Sequence, residues 1–247
     1  MSPSLRKLVL LHLVGNALLL SLGYYWLGVG ESSGMRLAWS ALVVAIFLCL
    51  TVWLHGTAFA YFGVNDFKAA VRIAMRNLLP LLAAAVAISI VYLLLAWWRN
   101  YSGQPAFKIA SYLTLNLRKP VKPNNVLRVF SVVLWLVRWV ILPVLFLPLA
   151  ANIANKGWIG FRGGSWKLSK RWIYWLEVPL LLLCSFWIPF KLMGWVPPVG
   201  GFAMEMTSFL IRLVIAYLLF VGAWLVLAFV TSGGSSRASQ PSSVDSP

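Results

Sequence analysis

Six apolar stretches follow one another along the chain and are separated by shorter polar segments. A bilayer core of about 30 Å requires about 20 consecutive apolar residues in a helix, and each stretch approaches or exceeds that length. The stretches are Leu8–Gly28, Leu37–Phe62, Leu78–Trp98, Val126–Ala151, Trp172–Phe190 and Met206–Val230. Because none carries the polar face of a soluble surface helix, the pattern predicts an all-α, polytopic bundle of six transmembrane spans.

The two ends of the chain differ in character. Residues 232–247 read SGGSSRASQPSSVDSP, and a segment with so little to bury predicts a disordered tail after a transmembrane domain of residues 1–231. Arg6 and Lys7 precede the first span, as basic residues precede the apolar core of a secretory signal. The apolar run is too long for a signal and no small-residue cleavage pattern follows it, so we expect an uncleaved helix.

The longest polar segment, residues 100–125, permits two interpretations. Apolar and polar residues alternate along it as in a β-strand, yet a single strand would have no partner for its edges. Pro105 suits the first turn of a helix, in which Ile109, Leu113 and Leu117 would form an apolar face on the membrane surface. We favour the interfacial amphipathic helix, followed by RKPVKP as an extended basic connector.

A shift of 94 residues aligns the segment after the second span with the segment after the fourth. The first reads AYFGVNDFKAAVRIAMRNLL and the second ANKGWIGFRGGSWKLSKRWI, with identities at Ala60/Ala154, Gly63/Gly157 and Phe67/Phe161. Each segment is basic and lies between two spans. Since the second and fourth spans run in the same direction, the alignment predicts a parallel repeat of residues 37–98 and 131–192.

This arrangement resembles a known type of bacterial membrane protein. A long helix, an interfacial F-[KR]-[AG]-[AG] segment with a basic cluster and a helix that re-enters the membrane occur in both halves. The pattern resembles the six-span families related to the membrane domain of glycerophosphodiester phosphodiesterases and to the YIP1-like proteins. The resemblance implies a membrane fold, and it implies no catalytic residue because the soluble phosphodiesterase domain has no counterpart in this sequence.

The net charge restricts the partners. The chain has 21 Lys and Arg against five Asp and Glu, a formal net charge of +16, yet charged residues make up only 11% of it. The cations are spread over short segments on both sides of the predicted membrane, which argues against nucleic-acid binding and favours anionic lipid headgroups. Eleven lie on the side that holds both termini and eight on the other, so we expect the termini in the cytoplasm of a bacterial inner membrane.

Two basic segments, one after the second span and one after the fourth, are the predicted contacts for lipid phosphates. Each Lys or Arg near an anionic surface contributes about 1 kcal/mol to binding. The candidate residues are Lys68, Arg72, Arg76, Arg162, Lys167, Lys170 and Arg171.

Ionisable residues inside spans are costly and are therefore functional candidates. They are His55, Arg138, Glu177, Glu205 and Arg212. Their depths along the helices suggest that Glu177 could reach His55, and that Arg138 and Arg212, with Glu205 two turns before Arg212, could line one polar pocket.

Structural roles compete with each of these functional roles. Glu177 and Glu205 could be interfacial acids, Arg212 could snorkel to the headgroups, and His55 could pack in the core. Arg138 could hold backbone carbonyls freed by the prolines of its own span.

Sequence signatures of catalysis and of metal binding are missing. Cys49 and Cys184 lie inside apolar runs, and the two His and five acids are scattered, so neither a metal site nor a cofactor is predicted. Residues 163–165 offer a Gly-Gly-Ser turn without an obvious base, and no phosphate-binding GxxxxGK[ST] is present.

The leading hypothesis is therefore a non-catalytic multi-pass membrane protein that binds anionic lipid or acts as a scaffold for a membrane partner. The alternative is a small carrier or flippase-like transporter for an anionic or amphiphilic solute, with Arg138 and Arg212 in its pocket. An enzyme that acts on lipid headgroups is the least favoured hypothesis.

Overall fold

The computed structural model describes residues 2–30, 32–162, 166–198 and 200–237. Over these residues the chain is helical and has no strand. The helices are α1 (Pro3–Leu27), α2 (Gly34–Val64), α3 (Phe67–Arg76), α4 (Leu78–Tyr101), α5 (Gly103–Leu117), α6 (Pro123–Leu136), α7 (Leu142–Lys156), α8 (Trp166–Ser169), α9 (Tyr174–Leu182), α10 (Ile188–Gly194) and α11 (Phe202–Arg237). A π-helical turn (Val137–Ile141) joins α6 to α7, a second one (Leu183–Trp187) joins α9 to α10, and a 3-10 helix (Gly157–Arg162) follows α7.

Six helical segments are long and apolar enough to cross a bilayer, which confirms the six predicted spans. They are α1, α2, α4, the continuous unit from Pro123 to Arg162, the unit from Tyr174 to Gly194, and α11. Several helices extend beyond the apolar runs because polar caps start them early. Ser2 Oγ accepts from the N–H of Leu5 at 3.2 Å, so α1 begins five residues before the predicted start.

Both described chain ends lie at one end of the bundle, which we call the termini end. The N–H of Phe67, at the start of α3, donates to Ser4 Oγ at 3.0 Å. At the end of α11, Ser232 Oγ donates to the carbonyl of Phe59 at 3.2 Å. The first helix therefore begins, and the last span ends, beside the C-terminal half of α2.

The central packing contact is a crossing of α2 and α7 near the termini end. Ala60 and Ala154 are fully buried there, together with Ile153 and most of Phe59. Small side chains allow the two backbones to approach closely, which is how helices associate in lipid when hydrophobicity does not distinguish the helix surface from its solvent. Around this crossing pack α1, α3, α4 and α11.

Asparagine side chains bind this crossing to its neighbours. Asn155 Nδ2 donates to the carbonyl of Ala151 at 2.8 Å and to that of Phe59, on α2, at 3.4 Å. Asn77, between α3 and α4, is buried and donates to the carbonyl of Ala154 at 2.9 Å. Hydrogen bonds between helices are favourable inside a membrane because no water competes for these groups.

The identities that suggested a repeat occupy comparable places. Ala60 and Ala154 are both fully buried in the crossing, while Gly63 lies against the side chain of Asn155 and Gly157 against that of Asn77. The segments that follow differ, since one is a ten-residue α-helix and the other begins as a 3-10 helix. The parallel repeat of residues 37–98 and 131–192 stays a prediction.

The segment between the third and fourth spans is a helix and not a strand. Helix α5 places Ala106 and Ala110 against Val126 of α6, and these three residues form a small separate core. The face formed by the alanines is thus the packed one, whereas Ile109 and Leu117 are exposed. Small residues let α5 lie close to α6, which the larger apolar residues would prevent.

The C-terminal boundary differs from the predicted one. Helix α11 continues to Arg237, so residues 232–237, predicted as the beginning of a disordered tail, are helical. The hydroxyls of Thr231 and Ser232 are buried and bond to Leu227 and Phe59, which draws this polar turn into the bundle. The rest of the predicted tail, 238–247, lies outside the described residues.

Substitution of Gly157 tests the fit between α7 and Asn77. Gly157 has φ +62° and ψ −137°, and a Cβ there would lie 2.7 Å from Asn77 Oδ1. We expect Gly157→Ala to lower the free energy of unfolding by about 1 to 3 kcal/mol, through backbone strain and displacement of Asn77. Detergent-titration unfolding followed by far-UV circular dichroism measures it. Gly222→Ala, where a Cβ meets open space, is the control, and equal midpoints for the two variants would contradict the expectation.

Candidate functional site

A stripe of cations runs along α3 at the termini end. Lys68, Arg72 and Arg76 are spaced four residues apart, so they lie one turn above another on one helix face, and all three are exposed. The opposite face carries Ala70 and Ala74, which are fully buried. The helix is therefore strongly amphipathic and directs its charge away from the bundle.

Local hydrogen bonds at the start of α3 fix its direction. Asn65 ends α2 in the left-handed conformation, with φ +56°, and turns the chain. Asp66 then caps α3, its two carboxylate oxygens accepting from the N–H groups of Lys68 and Ala69 at 3.3 and 3.1 Å. The carboxylate of Asp66 is thus engaged at the N-terminus of the helix, where it also complements the helix dipole.

The second basic segment follows α7 and combines charge with exposed aromatic rings. Arg162, Lys170 and Arg171 are exposed, and the side chain of Lys167 lies outside the described residues. The rings of Trp158 and Phe161 stack with centroids 5.8 Å apart. Together with Ile159 and Arg162 they line an open groove of about 450 Å³.

The two basic segments meet where α3 ends. Asn77 directly follows Arg76 and donates to the carbonyl of Ala154. Its side chain also lies against Gly157, the first residue of the 3-10 helix. The cationic stripe of α3 and the aromatic groove are therefore neighbours on the same end of the molecule. We call the combined area formed by α3, the 3-10 helix, Lys170 and Arg171 the basic surface.

Arg212 has a structural role. It is only 8% exposed, and its Nε donates to the carbonyl of Ser208 at 3.2 Å. Its Nη1 reaches the carbonyls of Leu192 and Met193, each at 3.4 Å, and that of Trp195. These carbonyls belong to the C-terminal turn of α10 and the residue after it, so Arg212 caps a helix end that lacks further N–H donors.

Glu205 and Arg212 line the same groove, and Arg138 does not. Glu205 and Arg212 both line a groove of about 350 Å³ between α11 and the segment before it, together with Phe202 and Phe209. Arg138 is not among the lining residues of this groove. Arg138 is therefore not part of the groove that holds Arg212, and a pocket shared by the two arginines stays a prediction.

Arg138 lies in the π-helical turn between α6 and α7. The N–H of Leu142 donates to Val137, five residues back, and the next residue, Pro143, has no N–H. No helical donor is left for the carbonyl of Arg138, and the hydroxyl of Tyr92 on α4 donates to it at 2.9 Å. Proline thus frees a carbonyl, as expected, but Tyr92 rather than the guanidinium satisfies it.

The guanidinium of Arg138 is left without partners on one edge. Its Nε and Nη2 are buried and have no hydrogen-bond partner among the described residues. Of the two arginines predicted within spans, Arg138 is therefore the one with buried guanidinium nitrogens that lack a partner.

His55 meets His12 and Trp224 rather than Glu177. Its ring lies 5.8 Å from that of His12 on α1 and 4.5 Å from that of Trp224 on α11, centroid to centroid. His12 is fully buried, and neither of its ring nitrogens has a partner among the described residues. Glu177, half-buried in the first turn of α9, forms no described hydrogen bond to His55.

His12 was missed as a candidate, although the sequence carried a signal for it. It lies nine residues inside α1 and His55 nine residues from the end of α2, both measured from the termini end. At 1.5 Å per residue both are roughly 14 Å deep, so two adjacent antiparallel helices would bring them to one level.

No family model matches the chain, and neither a curated protein nor a solved structure matches it. The resemblance to the phosphodiesterase membrane domain therefore stays a prediction.

Replacing Arg212 tests its role as a helix cap. Arg212→Met keeps much of the side-chain volume but leaves carbonyls at the end of α10 without a donor, so we expect a loss of about 2 kcal/mol or more in unfolding free energy. Thermal unfolding in a neutral detergent measures it. Arg36→Met, at an exposed arginine bonded to Ser32 Oγ, is the matched control and should have little effect. An unchanged midpoint for Arg212→Met would indicate a snorkelling residue.

Replacing His12 tests whether its ring has a partner. A buried polar ring without hydrogen bonds costs stability, so His12→Leu should leave the unfolding free energy unchanged or raise it by about 1 kcal/mol. Leu8→Ala, one turn earlier and also fully buried, should lose about 2 to 5 kcal/mol through the cavity it creates. The same thermal unfolding assay measures both. A loss for His12→Leu as large as for Leu8→Ala would show that the ring is hydrogen-bonded, for instance by buried water.

Proposed function

We propose that this multi-pass membrane protein binds anionic lipid headgroups through its basic surface. The observation that carries the proposal is the stripe of Lys68, Arg72 and Arg76, held on the outer face of α3 while the opposite face is buried against the bundle. In a chain with six membrane-spanning segments, a short amphipathic helix between two spans lies near the headgroup level. Its outward cations then lie beside lipid phosphates.

The aromatic groove supports the same proposal. Trp158 and Ile159 are 57% and 70% exposed. Exposure of these apolar side chains to water is unfavourable, and it ends when they enter the interfacial layer of the membrane. Arg162 lies on the same groove and can bind a phosphate while the rings contact the upper part of the acyl chains. Charge and apolar area together suit a lipid with an anionic headgroup.

Charge distribution favours a cytoplasmic orientation for the basic surface. The termini end carries eleven of the chain's Lys and Arg, and the opposite side eight. An excess of cations marks the cytoplasmic side of bacterial inner-membrane proteins, and anionic lipids give that leaflet its negative potential. A membrane protein with an acidic cytoplasmic face would contact the same cations, and the experiment below separates the two.

A second candidate function, a carrier for an anionic or amphiphilic solute, is favoured by one observation. Arg138 presents buried guanidinium nitrogens without a partner inside a span. Intramembrane charges of this kind are typical of substrate pathways. Arg212, which the same hypothesis included, contributes less to it because its Nε and Nη1 donate to backbone carbonyls.

Removing the charges of α3 tests the first proposal. The triple variant Lys68→Gln, Arg72→Gln and Arg76→Gln should lose about tenfold or more of its preference for phosphatidylglycerol over phosphatidylcholine, since each cation contributes about 1 kcal/mol. Native mass spectrometry of lipids retained from mixed nanodiscs measures the ratio. The preference of the parent should also fall as salt is raised, because exposed charges are screened.

Two matched controls make the result specific. The charge-conserving triple Lys68→Arg, Arg72→Lys and Arg76→Lys should keep the lipid preference. Neutralising Arg118, Lys119 and Lys122, which are exposed at the opposite end, should reduce it less than neutralising the stripe. An unchanged lipid ratio in the α3 triple would reject lipid binding there, and loss of a co-purifying protein instead would favour the scaffold.

A further inference from the structure

We infer that Arg138 binds one oxyanion group, a carboxylate or a phosphate, of a ligand that enters the transmembrane bundle. The inference deepens the second candidate function by naming the chemistry of its ligand. It is independent of lipid binding at the basic surface, since Arg138 lies far from that surface along the fourth span.

Arg138 is distant from both ends of its span. It lies 15 residues after Pro123, where α6 begins, and 18 residues before Lys156, where α7 ends. These separations correspond to about 22 and 27 Å of helix. A guanidinium at this depth is poorly placed to reach water at either end, although the arginine side chain is long.

Arg138 places a guanidinium group inside the fourth span. A guanidinium stays ionised in proteins, so burial does not neutralise it as it neutralises a lysine or a carboxylate. An unpaired charge in a medium of low dielectric constant is strongly unfavourable. The chain, a buried water molecule or a ligand must therefore supply acceptors for the buried nitrogens.

The described chain supplies none for Nε and Nη2. Asp66 caps α3 at the termini end, Glu177 lies in the first turn of α9, and Glu205 lines the groove beside Arg212. The freed backbone carbonyl of Arg138 itself accepts a hydrogen bond from the hydroxyl of Tyr92. Arg212 differs in this respect, because backbone carbonyls accept hydrogen bonds from its guanidinium.

The identity of the two free nitrogens specifies the ligand chemistry. Nε–H and the adjacent N–H of Nη2 point in parallel from one edge of the planar guanidinium. That edge matches two oxygens of a single carboxylate or phosphate, which accept a bidentate pair of charge-assisted hydrogen bonds. A halide offers one acceptor atom and cannot use both donors equally well.

The local backbone supports a binding role. The π-helical turn at Val137–Ile141 inserts an extra residue into the helix, and such turns occur frequently at functional sites. Tyr92 satisfies the freed carbonyl from outside the helix, so the guanidinium is not needed to stabilise the turn. Trp135 and Trp139 flank Arg138 and are exposed on the apolar surface, where the hydrocarbon part of an amphiphile would lie.

Thermal unfolding of the full chain in a neutral detergent tests the site with defined probes. The probes are octanoate, its neutral analogue octanamide, inorganic phosphate and chloride. A ligand that binds the folded state raises its unfolding temperature, and titration yields an apparent Kd. We expect octanoate or inorganic phosphate to raise the unfolding temperature of the parent, with smaller effects of octanamide and chloride.

Substitutions separate the bidentate edge from charge alone. Arg138→Lys keeps the charge but loses the parallel donors, and it should weaken anion binding about tenfold or more. Arg138→Gln should abolish the anion-specific shift. Arg128→Gln, at an exposed position ten residues earlier on α6, and Tyr92→Phe should keep it, although Tyr92→Phe should unfold at a lower temperature.

Each outcome decides the question. A shift with octanoate but not phosphate supports an amphiphilic ligand, and a shift with phosphate supports a water-soluble oxyanion. The site would be overturned by no response of the parent to octanoate or phosphate, and by equal responses to octanoate and octanamide with none to phosphate. Unchanged anion affinity in Arg138→Lys would also overturn it, and this result decides the matter even when Arg138→Gln does not fold. Retained binding without transport in proteoliposomes would reject the carrier function and leave the site intact.

Discussion

The structure depends on one constraint, which is that backbone polar groups in lipid must find partners within the protein. At the crossing of α2 and α7, small residues bring two backbones together and asparagine side chains donate to backbone carbonyls. Asn155 reaches Phe59 across the crossing, and Asn77 reaches Ala154 from the start of α4. The same carbonyl of Phe59 accepts from Ser232, so α2, α7 and α11 share one hydrogen-bonded centre.

The irregular turns follow from the same constraint. Two spans contain π-helical turns, each followed by a proline, Pro143 in one and Pro189 in the other. Proline removes an N–H and leaves a carbonyl open, which in lipid requires a donor from elsewhere. Tyr92 supplies it at Arg138. Arg212 donates instead to carbonyls at the C-terminal end of α10, where no further helical N–H follows. Polar residues in these spans are thus distributed according to where the helices are interrupted.

The two arginines inside the membrane differ in how their guanidinium groups are hydrogen-bonded. Both were candidates for one pocket, because sequence reasoning could compare only their depths. Nε and Nη1 of Arg212 donate to backbone carbonyls, while Nε and Nη2 of Arg138 have no partner among the described residues. The basic surface is a separate feature, created by a short helix that buries alanines and exposes cations.

The sequence by itself determined the six spans, the helical class and the position of each basic segment between two spans. These properties are local, because lipid imposes apolarity and length on each helix separately and an interface selects charged and aromatic residues. Helix ends that differ from the predicted bounds also have a local cause, since caps such as Ser2 extend a helix beyond its apolar run.

Only the tertiary structure decided which polar residues are paired. His55 meets His12 instead of Glu177, the last polar turn of α11 is drawn into the bundle by Phe59, and Arg138 is separated from the groove of Arg212. Depth along a helix is readable from residue counts, but the direction of a side chain and the neighbour it meets depend on how separate helices pack. In a chain whose spans are apolar all round, no amphipathic stripe in the sequence identifies that packing face.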